Sequence, residues 1–341
     1  MKKIGLGAGI ILILLIGSAL VVPSFVDWNK YKTEIETTAS NLSERKVTIN
    51  GDLSLSILPS PSFSAEDVSV ANVEGGKATH FVTLKSVDVN VAFFPLLSSD
   101  IQVKKFILVE PNIALEIDEN GKGNWEFGST ADQNQSSNAT EMSFEQFQIE
   151  NGQVSYQDLK NGTQELIRGI SANVTMDSLN GPFEIDGDVR YKNLPVNADI
   201  TVGTIREGRK IPLNVKANLM NNDVMITFIG GVSLDGDSPS GDGKVSVVAG
   251  DVGDLATVMA LLDTTSEVTP TKYNHPLSLE TSIVYGGDAV NISAFEFEMG
   301  ESRGSGNLKA TFDELTRFEG AMSINSFNLD NFLNTAENKQ A

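Results

Sequence analysis

Two histidines are the first residues of this sequence to consider for catalysis. His80 closes a glycine-rich loop and His275 precedes Pro276, so both positions are typical of loops rather than of paired catalytic groups. The chain has no cysteine, which excludes disulfides, thiolate metal sites and cysteine nucleophiles. No strand, Gly-x-Ser-x-Gly turn and helix occur in succession. We therefore predict no enzyme activity and no catalytic residue. A reaction with an envelope substrate that is lost on mutating either histidine would contradict this.

Metal and nucleotide sites are also not indicated. Asp235, Gly236 and Asp237, with Asp242 beyond them, resemble the start of a calcium loop, but the closing glutamate is missing and Pro239 interrupts the segment. We interpret this stretch as a solvated hairpin. Three glycines at 5, 7 and 9 lie inside an apolar segment, where a phosphate-binding loop is excluded. We expect no metal and no cofactor.

A membrane segment is predicted at residues 4–22, which carry no charge. As a helix they would span about 28 Å, close to the hydrocarbon thickness of a bilayer. Lys2 and Lys3 precede the segment, so the positive-inside tendency places the N-terminus in the cytoplasm and the body on the far side of the membrane. Trp28 and Tyr31 follow where interfacial aromatic anchors belong. The alternative is a secretory signal cleaved near residues 17–19.

The net charge of −20 decides against nucleic acid as a partner. Such a surface repels phosphate backbones and anionic headgroups. It is suited to keeping an exported, strand-rich chain soluble.

Most of the chain alternates apolar and polar residues with period two, as in strands that have one apolar face. The clearest alternating apolar sets are Val47, Ile49, Leu53, Leu55 and Ile57; Val87, Val89, Val91 and Phe93; Ile113, Leu115 and Ile117; and Phe295, Phe297 and Met299. Turn dipeptides recur at 50–51, 75–76, 120–121, 151–152, 161–162, 186–187, 235–236 and 286–287. This alternation predicts a mainly β fold, an extended antiparallel meander with one apolar face and few short helices.

Two helices and one linker are predicted in addition to the strands. A helix is expected over residues 27–42, with Asp27 as N-cap, and another over 254–262, with Asp254 as N-cap. Residues 128–140 are polar and low in complexity. We therefore divide the chain into an anchor (1–26), a helix plus β unit (27–127), a linker (128–140) and a second β unit (141–341).

The order of these motifs resembles the AsmA family of Gram-negative envelope proteins. The matching segments are residues 26–32 (VDWNKYK), 45–53 (RKVTINGDL), 58–62 (LPSPS), 66–72 (EDVSVAN), 94–97 (FPLL), 110–112 (EPN) and 118–125 (DENGKGNW), with weaker matches at 151–154, 181–183, 304–306 and 328–330. Glu44 stands where family members usually have glycine. Many relatives continue past residue 328, so we expect a short or truncated member.

The resemblance implies an inner-membrane anchor, a periplasmic β body and a role in outer-membrane biogenesis. It also implies a likeness to bridge-type lipid carriers, whose curved sheets offer an apolar groove to phospholipid acyl chains. The residues that would line such a groove are Val47, Ile49, Leu53, Leu55, Ile57, Val87, Val89, Val91, Phe93, Ile113, Leu115 and Ile117. Alternation alone also fits a closed sandwich core. Val89→Asp with Val91→Asp should abolish lipid binding only if they line a groove.

Two functions therefore remain open from the sequence. One is a phospholipid-binding or phospholipid-conducting protein of outer-membrane biogenesis. The other is a scaffold that regulates the assembly of outer-membrane proteins by direct contact and carries no lipid.

Overall fold

The computed structural model describes residues 26–327 apart from short gaps at 58–59, 94, 96–101, 127–145, 177, 179, 193, 207, 234–239, 263–272 and 313–315. The predicted membrane segment and the predicted linker lie outside the described residues. So does the 235–237 stretch. Within the described part, no helix is both long and apolar enough to cross a bilayer.

The described chain is mainly β, as predicted, and contains 17 strands. They are β1 (Val47–Ile49), β2 (Leu53–Ser56), β3 (Ser62–Ala71), β4 (His80–Val91), β5 (Val103–Val109), β6 (Asn112–Ile117), β7 (Gln146–Asp158), β8 (Thr163–Met176), β9 (Phe183–Tyr191), β10 (Leu194–Val202), β11 (Ile211–Leu219), β12 (Val224–Ser233), β13 (Ser240–Ala249), β14 (Leu277–Gly286), β15 (Ala289–Met299), β16 (Ser302–Phe312) and β17 (Thr316–Ile324).

Both predicted helices are present. A 3-10 turn (Trp28–Tyr31), capped by Asp27, leads into α1 (Lys32–Ser43), which ends at Glu44 in the left-handed conformation. The second helix, α2 (Val252–Leu262), starts two residues earlier than predicted. Its cap is Asp251, whose carboxylate accepts from the Gly253 N–H at 2.7 Å, and Asp254 lies buried in the first turn. The prediction of Asp254 as cap was wrong because either aspartate fits the local pattern.

Contacts divide the chain into two compact units, residues 1–175 and 176–341. The first unit thus extends past the linker expected at 128–140. The reason is that β7 pairs with β5 and β6 of the same unit.

These two pairings correct the prediction of a purely antiparallel meander. Both β5 and β6 run parallel to β7, with Phe106 opposite Phe147 and Ile113 opposite Val154. A parallel neighbour requires a long crossover connection instead of a tight hairpin. The other pairings in the first unit are antiparallel: β1 and β2 both pair with β3, β3 with β4, β4 with β5 and β6, and β7 with β8.

A crease crosses the first unit at one level of its strands. Four residues with positive φ lie at or beside aligned positions of neighbouring strands: Asp67 in β3, Glu110 between β5 and β6, Asn151 in β7 and Gly169 in β8. Left-handed residues interrupt the pleat. Residues three apart, such as Ala65 and Val68, therefore enter the same buried cluster. Lys85 in β4 forms an ion pair with Glu110 at 2.8 Å, which raises the pKa of Lys85.

The second unit is a regular antiparallel meander in which each strand from β9 to β17 pairs with the next. The turns predicted at 75–76, 120–121, 161–162 and 286–287 are confirmed. Those predicted at 50–51, 151–152 and 186–187 were wrong. The first joins β1 to β2 along one edge of β3, the second is a bulge within β7, and the third lies inside β9.

A buried polar network closes one end of the first unit. The Glu116 carboxylate accepts from Asn72 Nδ2 (2.9 Å) and from the N–H groups of Lys77 (2.9 Å) and Ala78 (2.7 Å). Asn124 accepts from Glu116 N (2.9 Å) and donates to Asn72 Oδ1 (2.9 Å). These bonds hold the β3–β4 loop against the turn that follows β6.

The asparagine at 124 is expected to be important for the stability of this unit. Asn124→Ala removes both bonds and a third to the Ala114 carbonyl (2.8 Å), and it leaves buried polar groups without partners. We expect the free energy of unfolding to fall by about 2–4 kcal/mol. Both tryptophans, Trp28 and Trp125, lie in this unit, so tryptophan fluorescence in urea follows it. The exposed Asn120→Ala serves as control and should shift stability by no more than about 0.5 kcal/mol. Equal midpoints for the two variants would contradict the role of Asn124.

Candidate functional site

Residues capable of catalysis do not converge in the described chain. His80 is exposed, and His275 lies over Gly300 at the α2 end of β14. A Gly-x-Ser-x-Gly string at 300–304 forms the β15–β16 hairpin and the start of β16, with no helix after it. No group of three potential metal ligands occurs among the described residues. Asp242 pairs instead with Lys210.

Two carboxylates, Asp118 and Asp158, have pKa values that are shifted by hydrogen bonds within turns. The Lys122 N–H holds the pKa of Asp118 below its usual value, and the Asn161 N–H does the same for Asp158. Both carboxylates stabilise tight turns at strand ends. Burial lowers the pKa of Arg45, whose guanidinium lies 5.0 Å from the centre of the Phe81 ring. None of these groups faces a shared cleft in the described structure.

The apolar face of the second unit contains three rows of residues, each of which pairs with the next across neighbouring strands. The first row is Ile185, Ile200, Val215, Phe228, Val245, Thr281, Phe295, Gly306 and Met322. The second is Gly187, Ala198, Ala217, Ile226, Val247, Leu279, Phe297, Gly304 and Ile324. The third is Phe183, Val202, Leu213, Gly230, Gly243, Ile283, Ile292, Leu308 and Gly320. The rows contain no charge and a single hydroxyl.

Helix α2 covers only one end of this face. Its Val258 (1% exposed) packs with Leu194 (1%) and Val224 (0%), together with Leu219, Ala249 and Leu277, in a closed core. Leu219, Val224, Ala249 and Leu277 form the row next to the second row defined above, and Leu194 lies one row further along. From β9 to β16 the three rows are only half-buried. In the described second unit, α2 is the only helix. Within α2, Leu255 and Val258 pack in this core, whereas Met259 and Leu262 are exposed.

The opposite face of the second unit is mostly polar, with exposed apolar exceptions such as Ile229 and Val284. Glu280 and Glu296 face each other there, and Glu298 forms an ion pair with Arg303 at 2.8 Å. Two shallow depressions border these residues, with volumes of about 590 and 400 Å³. Their charged walls are unsuited to apolar ligands.

The first unit repeats this arrangement with a different helix. Ile49, Leu53, Ala65 and Val68 form a buried cluster, and Trp28, Ile35, Val47, Phe63, Leu84 and Val87 pack against it. Among the predicted groove residues, Ile49 and Leu53 thus belong to a closed core. The other ten are half-buried: Val47, Leu55, Ile57, Val87, Val89, Val91, Phe93, Ile113, Leu115 and Ile117. Val89 lies between Phe63 and Phe106, so the sheet does bring predicted residues of separate strands together.

The predicted interface anchors occupy one 3-10 turn. The rings of Trp28 and Tyr31 lie 5.7 Å apart between centroids. Trp28 packs against the buried cluster, whereas Tyr31 is exposed. Their position at a membrane surface stays a prediction.

Sequence reasoning named groove residues only in the first unit and missed most of the second-unit face. The signal was available, because residues 183–191 (FEIDGDVRY) and 194–202 (LPVNADITV) alternate without interruption.

The model of one protein family, the AsmA family, matches residues 1–336 of the chain. No curated protein matches the chain.

Proposed function

Because the chain belongs to the AsmA family, we propose that it binds phospholipid through its acyl chains along the apolar faces of its two β units. In this proposal the predicted segment at residues 4–22 anchors the chain in the inner membrane. The β body then serves outer-membrane biogenesis from the periplasmic side. The protein acts by binding or conducting lipid and catalyses no reaction.

The observation that carries the proposal is the apolar face of the second unit, which α2 covers at one end and no other described helix covers. A closed sandwich core buries its central side chains almost completely. Here the row beneath α2 reaches that state, as do Ile211 and Ala310 at the opposite end of the face, whereas Val215, Val245 and their neighbours in the three rows remain half-buried. Apolar surface of this extent on a soluble body is typical of a binding site.

An acyl chain matches the chemistry of this face. It needs a continuous apolar path and no hydrogen-bond partners, and the three rows offer both. Each methylene removed from water contributes about 0.8 kcal/mol. Nine strands at about 4.8 Å spacing extend for roughly 40 Å across the rows, so the path favours chains lying across the strands.

Site-specific photocross-linking in the intact membrane tests this proposal. A benzophenone amino acid is placed at Val215 or Leu279 on the apolar face, and at the neighbouring Lys216 or Glu280 on the polar face. After irradiation of the full chain, mass spectrometry should find phospholipid adducts at Val215 and Leu279 only. Equal adducts on both faces, or none on the apolar face, would contradict the proposal.

A second candidate function is favoured by the position of β17 at the edge of the described sheet. Among the described strands, β17 has a register only with β16, and nearly all its residues are exposed. An edge of this kind can add a strand from another protein. This supports a scaffold that regulates outer-membrane protein assembly by contact. Protein adducts at Phe318 or Met322, without lipid adducts at Val215, would favour the scaffold.

A further inference from the structure

Four aromatic rings on the apolar face of the second unit lie over glycines of the neighbouring strand. A Cβ built on Gly243 would stand 2.5 Å from the Phe228 ring, and one on Gly306 would stand 2.6 Å from Phe295. At Gly241 it would stand 2.7 Å from Tyr285, and at Gly304 it would overlap the Phe297 ring. Each ring therefore occupies the space that a side chain on the next strand would need.

The glycines hold these rings low against the sheet. Phe297, opposite Gly304, is half-buried although no described helix covers it. Phe318 lies on the same face opposite Ala310 and is 68% exposed. Part of that difference comes from the edge position of β17. The rest follows because a ring over glycine can rest one face on the backbone.

Glycine weakens a strand interior, so its distribution on these strands calls for a reason. From β12 to β16, Gly230, Gly241, Gly243, Gly304 and Gly306 lie on the apolar face, and inside the strands only Gly231 lies on the other. Packing of the apolar face against a second layer would favour large side chains there instead. This distribution of glycines suits a surface on which aromatic rings lie close to the strand backbone.

We propose that Phe228, Tyr285, Phe295 and Phe297 form a low aromatic floor that seats the methylene segments of unbranched acyl chains. This inference rests on the proposed function and deepens it. Phe228 and Phe295 share one row and are separated by Val245 and Thr281, which sets a floor of roughly 14 Å across three strand spacings. The glycines set its depth, because any side chain in their place lifts a ring into the path of the chain.

Gly304→Ala tests the depth of the floor with one methyl group. The added Cβ would stand 2.9 Å from the Ser323 carbonyl oxygen and overlap the Phe297 ring, so it must displace the ring, which pairs with Leu279 on β14. We expect lipid adducts of a benzophenone amino acid at Leu279 to fall about threefold or more in the full chain in its membrane. Adducts at Val215, which lies on β11 four strands from Phe297, should stay within error. The control is Ser305→Ala on the polar face, which should leave both reporters unchanged.

The adduct masses identify the source of the acyl chain, since phospholipid and free fatty acid differ in mass. If Gly304→Ala lowers the content of folded protein by circular dichroism, Phe297→Leu replaces it, because leucine cannot cover the glycine as a flat ring does. The same fall at Leu279 is then expected. Unchanged adducts at Leu279 in a folded variant would overturn the floor while leaving the proposed function intact. Absence of lipid adducts from the unaltered chain would overturn both.

Discussion

Replacing Val215 and Val245 with aspartate is expected to reduce the phospholipid that co-purifies with the full chain about tenfold or more. Both valines lie in the first row of the second-unit face, on either side of Phe228. A carboxylate in this row must stay hydrated, so it interrupts the apolar path at two points. An acyl chain crossing the row would have to desolvate a charge, at a cost larger than the gain from several methylenes.

The measurement is phospholipid per protein, determined by mass spectrometry after gentle purification. The control is Asn214→Asp with Ser246→Asp, which adds the same charge to the same two strands but on the polar face. It should retain normal lipid. Both double variants should keep the circular dichroism of the unaltered chain. A folded Val215→Asp, Val245→Asp variant with full lipid occupancy would place the lipid elsewhere. The Val89→Asp, Val91→Asp double variant tests in the same way whether phospholipid binds to the apolar face of the first unit.

The strand content and both helices could be predicted because each rests on local patterns. Period-two alternation specifies which residues share a face, and the helical spacing of apolar residues at 27–42 and 254–262 specifies helices. The existence of a one-sided apolar sheet thus follows from the sequence. Whether a second layer covers that sheet does not, since both arrangements need the same alternation.

The crease and the parallel pairs of the first unit could not be predicted in this way. Glu110 and Asp67 have positive φ although neither is a glycine, so their residue types do not indicate this conformation. Their alignment depends on the register between strands. The pairing of β7 beside β5 and β6 depends on a long crossover connection rather than on a hairpin signal. Ile49 and Leu53 show the consequence for the site. Their alternation matches that of Leu55, but the position of Trp28 and Ile35 places them in a closed core.

Stability along a single strand should reveal where the second-unit face is closed. Leu194 and Ile200 lie on the same face of β10, but Leu194 is buried beneath α2 and Ile200 is half-buried beyond it. Leu194→Ala is therefore expected to lower the free energy of unfolding of this unit by about 2–5 kcal/mol, since it leaves a cavity in a packed cluster. Ile200→Ala loses only part of that burial and should cost roughly 1 kcal/mol.

Far-UV circular dichroism in urea measures this difference, because it reports strands of both units. Tryptophan fluorescence provides an internal control, since Trp28 and Trp125 both lie in the first unit and their transition should not move. Equal losses at Leu194 and Ile200 in lipid-free protein would mean that the face is covered along its whole length, and the binding surface would then be a core. If Ile200→Ala becomes costly only when phospholipid is added back, the lipid itself supplies the missing layer. That result would join the stability of the sheet to its proposed function, because the same side chains would serve as core when lipid is bound and as exposed surface when it is not.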